Sequence, residues 1–408
     1  MGEETSSRAE IKTVHLKEFM TATTAESWYL LALLVFLVQG FLDTTMFPYV
    51  MPETVIPVLK GIAFGMMALK MVLFDFKSSV IQLAMALSIL FLSAVSMFVD
   101  GYAAPMQFFI VVIGAYRVNF DKIVKLYFRA SVTLTIVTIT CALIGVIENV
   151  AIPRGTSTAY AFGFYYISEF SAHVLSITLS WLYLNRHNLS IRIYLPAIIW
   201  SVVVYKLADG KMAFLLSLLI IVGVAISEAH RKIRSRAYQF PRIFIASFFA
   251  MAALSVWLMI FFNDSGVMSW LNNILTNRLY YAHKGFLQYG VTAFGQQIDM
   301  LGWGGGKVIN YEDYFYIDCS YVNILLRYGI VILLLVLTLC TVPLIRAKRN
   351  AGIIAWLLFG IALASFINEH LMGIPYNIFA LMTFASCSDY APTNILKKIV
   401  HAREGRAA

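Results

Sequence analysis

Long apolar runs recur along this chain, each about as long as a bilayer is thick. A helix crossing the roughly 30 Å hydrocarbon layer needs about 17–25 such residues at about 1.5 Å per residue. Backbone groups in hydrocarbon must be satisfied within the segment, so runs of this kind fold as helices. Spans are expected near 26–45, 54–74, 79–98, 102–116, 130–149, 160–184, 193–207, 212–228, 243–262, 320–345, 351–368 and 371–389. Two of them, 102–116 and 193–207, are short enough for a re-entrant or tilted path. Composition agrees: 60% of residues are hydrophobic and 13% charged, against about 45–50% and 25% in soluble chains. The expected fold is an all-α polytopic membrane protein, about twelve transmembrane helices with one large extracytoplasmic loop.

The net charge of +9 does not mark a nucleic-acid surface, because the basic residues are spread over the gaps between spans. Alternate connectors carry Lys70 and Lys77; Arg117, Lys122, Lys125 and Arg129; Arg186 and Arg192; then Arg231, Lys232, Arg234, Arg236 and Arg242. Arg346, Lys348 and Arg349 follow, and the tails add Arg8, Lys12, Lys17, Lys397, Lys398, Arg403 and Arg406. Basic loops stay on the cytoplasmic side, which puts both tails (1–25 and 391–408) in the cytoplasm and the loop at 263–319 outside. The first span has no small-residue cleavage site after it and is expected to be retained. Of the four cysteines, Cys141, Cys340 and Cys387 fall in spans and only Cys319 is expected near water, so no disulfide framework follows.

Ionisable side chains inside spans are expensive and need a reason. Glu169 and His173 lie four apart on one face of the sixth span, which suits a polar patch locking helix packing; metal binding is the sharper alternative. Arg327 is shallow enough to snorkel outward. Lys206 and Lys211 bracket the turn at Asp209-Gly210; Lys211 either pairs with Asp209 or reaches a lipid phosphate. The run Phe162, Phe164, Tyr165, Tyr166 and Phe170 is expected to form an interfacial aromatic belt.

The outer loop holds the remaining signals. Apolar residues Leu271, Leu275, Leu279, Ala282 and Phe286 recur at helical spacing, predicting a membrane-surface helix over 271–289, with Thr276 or Asn277 able to cap a shorter start. Leu301-Gly302-Trp303-Gly304-Gly305-Gly306-Lys307 looks like a phosphate loop but fails its spacing, and reads as a closely packed turn. Asp318-Cys319-Ser320-Tyr321 then leads into the tenth span, where Asp318 also suits an N-cap.

These residues together resemble the bacterial O-antigen ligase and polysaccharide polymerase (Wzy-type) superfamily. The order is an outer arginine on a short helix (Arg278), a Gly-rich turn, then Asp318-Cys319, nine residues and Gly329. The ligases carry His-Asn where this chain has Asp318-Cys319. Ala161-Phe162-Gly163-Phe164, Asp209-Gly210-Lys211 and the stretch Glu369 to Asn377 also look like family segments. The resemblance, spread over most of residues 150–390, implies a GT-C-like polysaccharide polymerase. Its substrates would be undecaprenyl-diphosphate-linked oligosaccharides, used at the outer face of the bacterial cytoplasmic membrane. No nucleotide sugar, metal or other cofactor is implied; a flippase and a chain-length regulator are the expected protein partners.

In that scheme Arg278 forks onto the diphosphate, with Lys211 or Arg154 adding positive charge. Asp318, in the place of the ligases' proposed catalytic His, is the first candidate base, with Glu369, His370 and His283 behind it. Arg327 and Tyr321 complete the expected substrate-binding set. The missing His at 318 favours a polymerase over a ligase. Two non-enzymatic classes compete with both: a lipid-linked oligosaccharide flippase or another transporter, and a non-catalytic assembly partner.

Overall fold

The computed structural model describes residues 23–75, 80–154, 157–234, 242–305, 313–348 and 351–390. In chain order its first helices are α1 (Thr23–Leu42), α2 (Val55–Asp75, ending in a π turn), α3 (Val80–Asp100), α4 (Ala104–Gly114) and α5 (Phe120–Leu143). A hairpin of β1 (Ala151–Arg154) and β2 (Ser157–Tyr160) precedes α6 (Ile167–Leu184), α7 (Ile191–Ala208), α8 (Lys211–Ile233) and α9 (Arg242–Phe261). The segment after α9 contributes α10 (Gly266–Ile274) and α11 (Arg278–Tyr289), and the chain continues through α12 (Ser320–Arg327), α13 (Gly329–Arg346) and α14 (Gly352–Ile367). Among the described residues, α1, α2, α3, α5, α7, α8, α9 and α13 are long and apolar enough to cross a membrane. The protein is a mostly α-helical polytopic membrane protein.

Several expected spans take other forms, each for a local reason. The fifth helix begins at Phe120, ten residues before 130, because the Asn119 side chain accepts from Lys122 N and Asp121 occupies the first turn. Lys122, Lys125 and Arg129 are therefore on the opening turns of α5 and not in a connector. In place of a span from 160, α6 starts at Ile167, since 157–160 are paired in β2. It is buried among α5, α7, α8 and α14. Its Ser171, Ser176 and Thr178 hydroxyls donate to carbonyls one turn back, which satisfies polar groups inside the bundle.

The span expected at 320–345 is broken at Tyr328–Gly329. Gly329 has φ +88°, and a Cβ there would sit 2.4 Å from Ala293 O, so only glycine fits. Backbone groups freed by the break are met by the chain at 292–296: Ile330 N donates to Thr292 O (3.1 Å), Val331 N to Ala293 O (3.2 Å), and Gln296 N to Arg327 O (2.9 Å). The break lets α12 turn away from the α13 axis.

The segment expected as the last helix, 371–389, is two 3-10 pieces, His370–Met372 and Ile378–Thr383, with Ile378 to Thr383 all buried. Gly373 and Pro375 prevent a continuous helix. Irregular backbone survives in hydrocarbon only inside protein. Here Tyr127 and Ser176 hydroxyls donate to Pro375 O and Tyr376 O, both at 2.6 Å. The far end pairs with the start of α5, Phe120 N to Ser386 O at 2.9 Å and Ser386 N to Val118 O at 2.8 Å. Buried Arg186 fastens the same end, its Nη2 on Asp121 (2.7 Å) and its Nε on Asp389 (2.8 Å).

The surface helix expected over 271–289 is split by Thr276 and Asn277, both left-handed (φ +52° and +64°). Leu279, Ala282 and Gly285 of α11 are buried, and α11 packs on α9 and α12, while Tyr280 and Leu287 are exposed.

Candidate active site

Four segments distant in sequence meet at the end of the bundle away from Arg186: the start of α11, residues 314–323, the turn after α14, and the first turn of α6. The α12 start is latched to the turn after α14. Ser320 N and Oγ both donate to Asn368 O (3.2 and 2.5 Å), and Leu371 N donates back to Ser320 Oγ (3.1 Å). That latch brings Asp318 beside Glu369 and His370.

Arg278 approaches from the opposite side. Its Nη1 donates to Thr276 Oγ1 (2.7 Å) and Leu275 O (3.3 Å), and its Nε lies 3.4 Å from Asp318 Oδ2. The two side chains are 18% and 28% exposed, so the pair is shielded yet reachable from outside. Asp318 is not the helix cap: α12 opens at Ser320 with Cys319 in the cap position.

Two further carboxylates, each holding a tyrosine hydroxyl, complete the cluster. Tyr316 donates to Glu369, whose other oxygen accepts from Asn323 Nδ2 at 3.2 Å. Tyr376 donates to Glu169, and His370 Nε2 lies 3.8 Å from that same carboxylate. The His370 ring stacks on Tyr376 with centroids 3.9 Å apart and 14° between planes. Glu169 thus does not pair with His173, as its spacing suggests; His173 Nε2 instead lies 2.9 Å from Thr44 Oγ1.

Burial pushes the Asp318 carboxyl above the usual carboxylate range, with Arg278 and His370 pulling it back. Burial likewise pushes Glu369 up to about 7, with His370 and the Tyr316 hydroxyl opposing and Glu169 and Asp318 adding to the rise. His370 is lowered, again by burial, and so stays neutral at neutral pH. Tyr314 and Tyr316 are both raised by burial and remain protonated donors.

Aromatic rings wall the approach. Tyr314 packs on Tyr281 (4.9 Å) and Trp303 (5.8 Å). The Gly-rich turn lies against Tyr165, Gly305 N donating to its carbonyl at 2.8 Å, so the closely packed turn is present, while Lys307 lies outside the described residues. Of the expected interfacial belt, Phe164 and Phe170 are interior and stack at 5.2 Å, while Phe162, Tyr165 and Tyr166 are half-buried.

Of the residues expected at the site, the structure brings together Arg278, Asp318, Glu369 and His370. Others it sends elsewhere. Tyr321 is fully buried and donates to Ala362 O at 2.8 Å, a packing role. His283 Nδ1 lies 2.7 Å from Met259 O, joining α11 to α9. Arg327 stacks 3.7 Å over Tyr102 at the other end of α12, beside Asp100, and does not snorkel outward. Lys211 pairs with Asp209 at 3.5 Å. Arg154 closes β1, and its side chain lies outside the described residues. Cys319 is buried with its thiol 3.4 Å from Ser255 Oγ, not near water.

Sequence reasoning misses Tyr316, Tyr376 and Asn323. Tyr376 is within its reach, since it sits in the Glu369–Asn377 stretch; Tyr316 and Asn323 carry no signal beyond their proximity to Asp318. No group of three or more His, Cys, Asp or Glu among the described residues has metal-binding geometry. Comparison with protein families, curated proteins and solved structures gives no match for this chain.

Proposed function

We propose that the protein is a polysaccharide polymerase, a glycosyltransferase joining undecaprenyl-diphosphate-linked repeat units on the outer face of a bacterial cytoplasmic membrane. The observation that carries this reading is the shielded Arg278–Asp318 pair set among Glu169, Glu369 and His370 behind a wall of aromatic rings. An arginine fork suits a diphosphate, and aromatic faces suit sugar rings. The basic end of the bundle, at Lys122 and Arg186, lies opposite, which favours an outward site with both termini in the cytoplasm. Twelve passes fit this reading if α4, α6, α14 and the buried 3-10 segment cross with the eight long helices.

In the reaction, a hydroxyl oxygen of the incoming repeat unit attacks the anomeric carbon of the donor glycan. The bond from that carbon to the diphosphate oxygen breaks, and the lipid diphosphate leaves with the electron pair. Arg278 stabilises the charge that develops there. Glu369 takes the hydroxyl proton, because its raised pKa matches a base working near neutrality better than Asp318, which is committed to Arg278. Asp318 orients the guanidinium, while Glu169, His370 and Tyr376 fix the far wall.

The test is purified protein with lipid-linked repeat units, products resolved on a gel. A ladder supports the polymerase, and its loss in Arg278→Ala with the protein still folded supports the site. Transfer of a single unit to a different acceptor would replace this reading with a ligase. Translocation without any new glycosidic bond would replace it with a flippase.

A further inference from the structure

Helix α10 divides into three faces. At about 100° per residue, Met268 and Asn272 point one way, Ser269 and Asn273 a second, and Val267, Trp270 and Ile274 a third. The first face is protein-bound: Met268 packs against the cluster of Leu258 of α9, Phe262 just beyond that helix and Leu279 of α11, and Asn272 is buried. The second is polar. The third is apolar and open, with Val267 71%, Trp270 60% and Ile274 49% exposed.

Water on the third face would leave a large tryptophan and two β-branched side chains bare side by side. What covers it is indicated by the neighbouring helix. α9 is long and apolar enough to cross a membrane, and its outer end exposes Trp257 and Phe261. Phe262 then turns inward to meet Met268, so the open stripe of α10 begins where the lipid-facing stripe of α9 stops. A helix with protein, water and apolar sides in this order fits the boundary between headgroups and acyl chains. Tryptophan is the residue most at home there.

We propose that α10 is an interfacial helix, its Val267–Trp270–Ile274 stripe seated in the outer leaflet, and that it holds the start of α11 at headgroup level. The connection is rigid. Asn272 Nδ2 donates to Asn277 Oδ1 and Tyr280 N donates to Asn272 Oδ1, both at 3.0 Å, across the two left-handed residues before Arg278. Arg278 is thereby placed where lipid-borne phosphates lie, whatever reaction follows.

The full-length protein in phosphatidylethanolamine/phosphatidylglycerol vesicles tests this. Nitroxide labels are placed singly at V267C, W270C, I274C, S269C and N273C, with the four native cysteines replaced. The ratio of collisions with oxygen to collisions with a water-soluble nickel chelate is expected to be at least threefold higher at 267, 270 and 274 than at 269 and 273. Equal ratios at all five positions would overturn the proposal. A second measurement leaves the native cysteines in place. Lipids brominated near the headgroup end of the acyl chain are expected to quench less of the total emission in Trp270→Phe than in wild type. An unchanged quenchable share places Trp270 outside the bilayer and overturns it equally.

Discussion

Replacing Glu369 by Gln removes a carboxyl whose burial sets it near neutrality. A carboxyl with a folded pKa of about 7 and an ordinary value of 4.5 binds more protons folded than unfolded between those limits. Stability must then fall as pH rises through that window, since the slope follows the excess of protons bound in the unfolded state, here negative. Between pH 5 and pH 8 the penalty grows by roughly 2.5 kcal/mol, at about 1.36 kcal/mol per pKa unit. His370, lowered by burial, acts in the opposite sense, losing stability as pH falls through its ordinary value. A single pH profile therefore mixes the two. In the difference between Glu369→Gln and wild type the burial part of His370 cancels, leaving its attraction to Glu369, and comparing that difference at pH 8 and pH 5 also removes the fixed effect of offering Asn323 an amide in place of a carboxylate. The midpoint of SDS-induced unfolding in mixed micelles, followed by tryptophan fluorescence, supplies the measurement. The variant is expected to gain about 2.5 kcal/mol on wild type over this range. A gain below about 0.5 kcal/mol would mean that Glu369 titrates as an exposed carboxyl, and the assignment of Glu369 as base would go with it.

Arg278→Ala is expected to lower transfer about 100-fold or more, since one or two charge-assisted hydrogen bonds to phosphate are each worth about 1.5–3 kcal/mol. Cells carrying it should accumulate single lipid-linked repeat units, and normal chain length would refute the diphosphate role. Tyr321→Phe removes the bond to Ala362 O; about 1 kcal/mol of stability should be lost with transfer unchanged, and a selective loss of transfer would restore Tyr321 to the site. Gly304→Ala would put a Cβ 1.6 Å from the Tyr165 ring. Overpacking of about 1–3 kcal/mol should loosen the Gly-rich turn, read as faster proteolysis there, and unaltered proteolysis would show that the turn has room.

The membrane character and the places of most long apolar helices were open to reading because hydropathy acts locally along the chain. Each apolar run must satisfy its own backbone, so its length and composition suffice. The same reasoning failed at 371–389, where Pro375 and Gly373 deny a helix and the surrounding helices supply the missing partners. It failed again at Arg327, whose distance from the end of its span says nothing of the Tyr102 ring waiting beside it. Site chemistry divided in the same way. Arg278, Asp318, Glu369 and His370 stood out as charges in unusual places, which sequence alone reveals. That Glu169 belongs with His370 and Tyr376, and not with His173, depended on which faces of α6 and the last turn were brought together. Tyr321 and His283 look as reactive in the sequence as the others; Tyr321 is buried against Ala362 O, and His283 is half-buried with its ring nitrogen on Met259 O, so both join helices. Local sequence determines which segments leave water and which charges need a reason for being there. The partners of those charges are decided only when the Gly329 break and the Ser320 latch fold distant segments together, because pairing energies depend on distances that no spacing along the chain specifies.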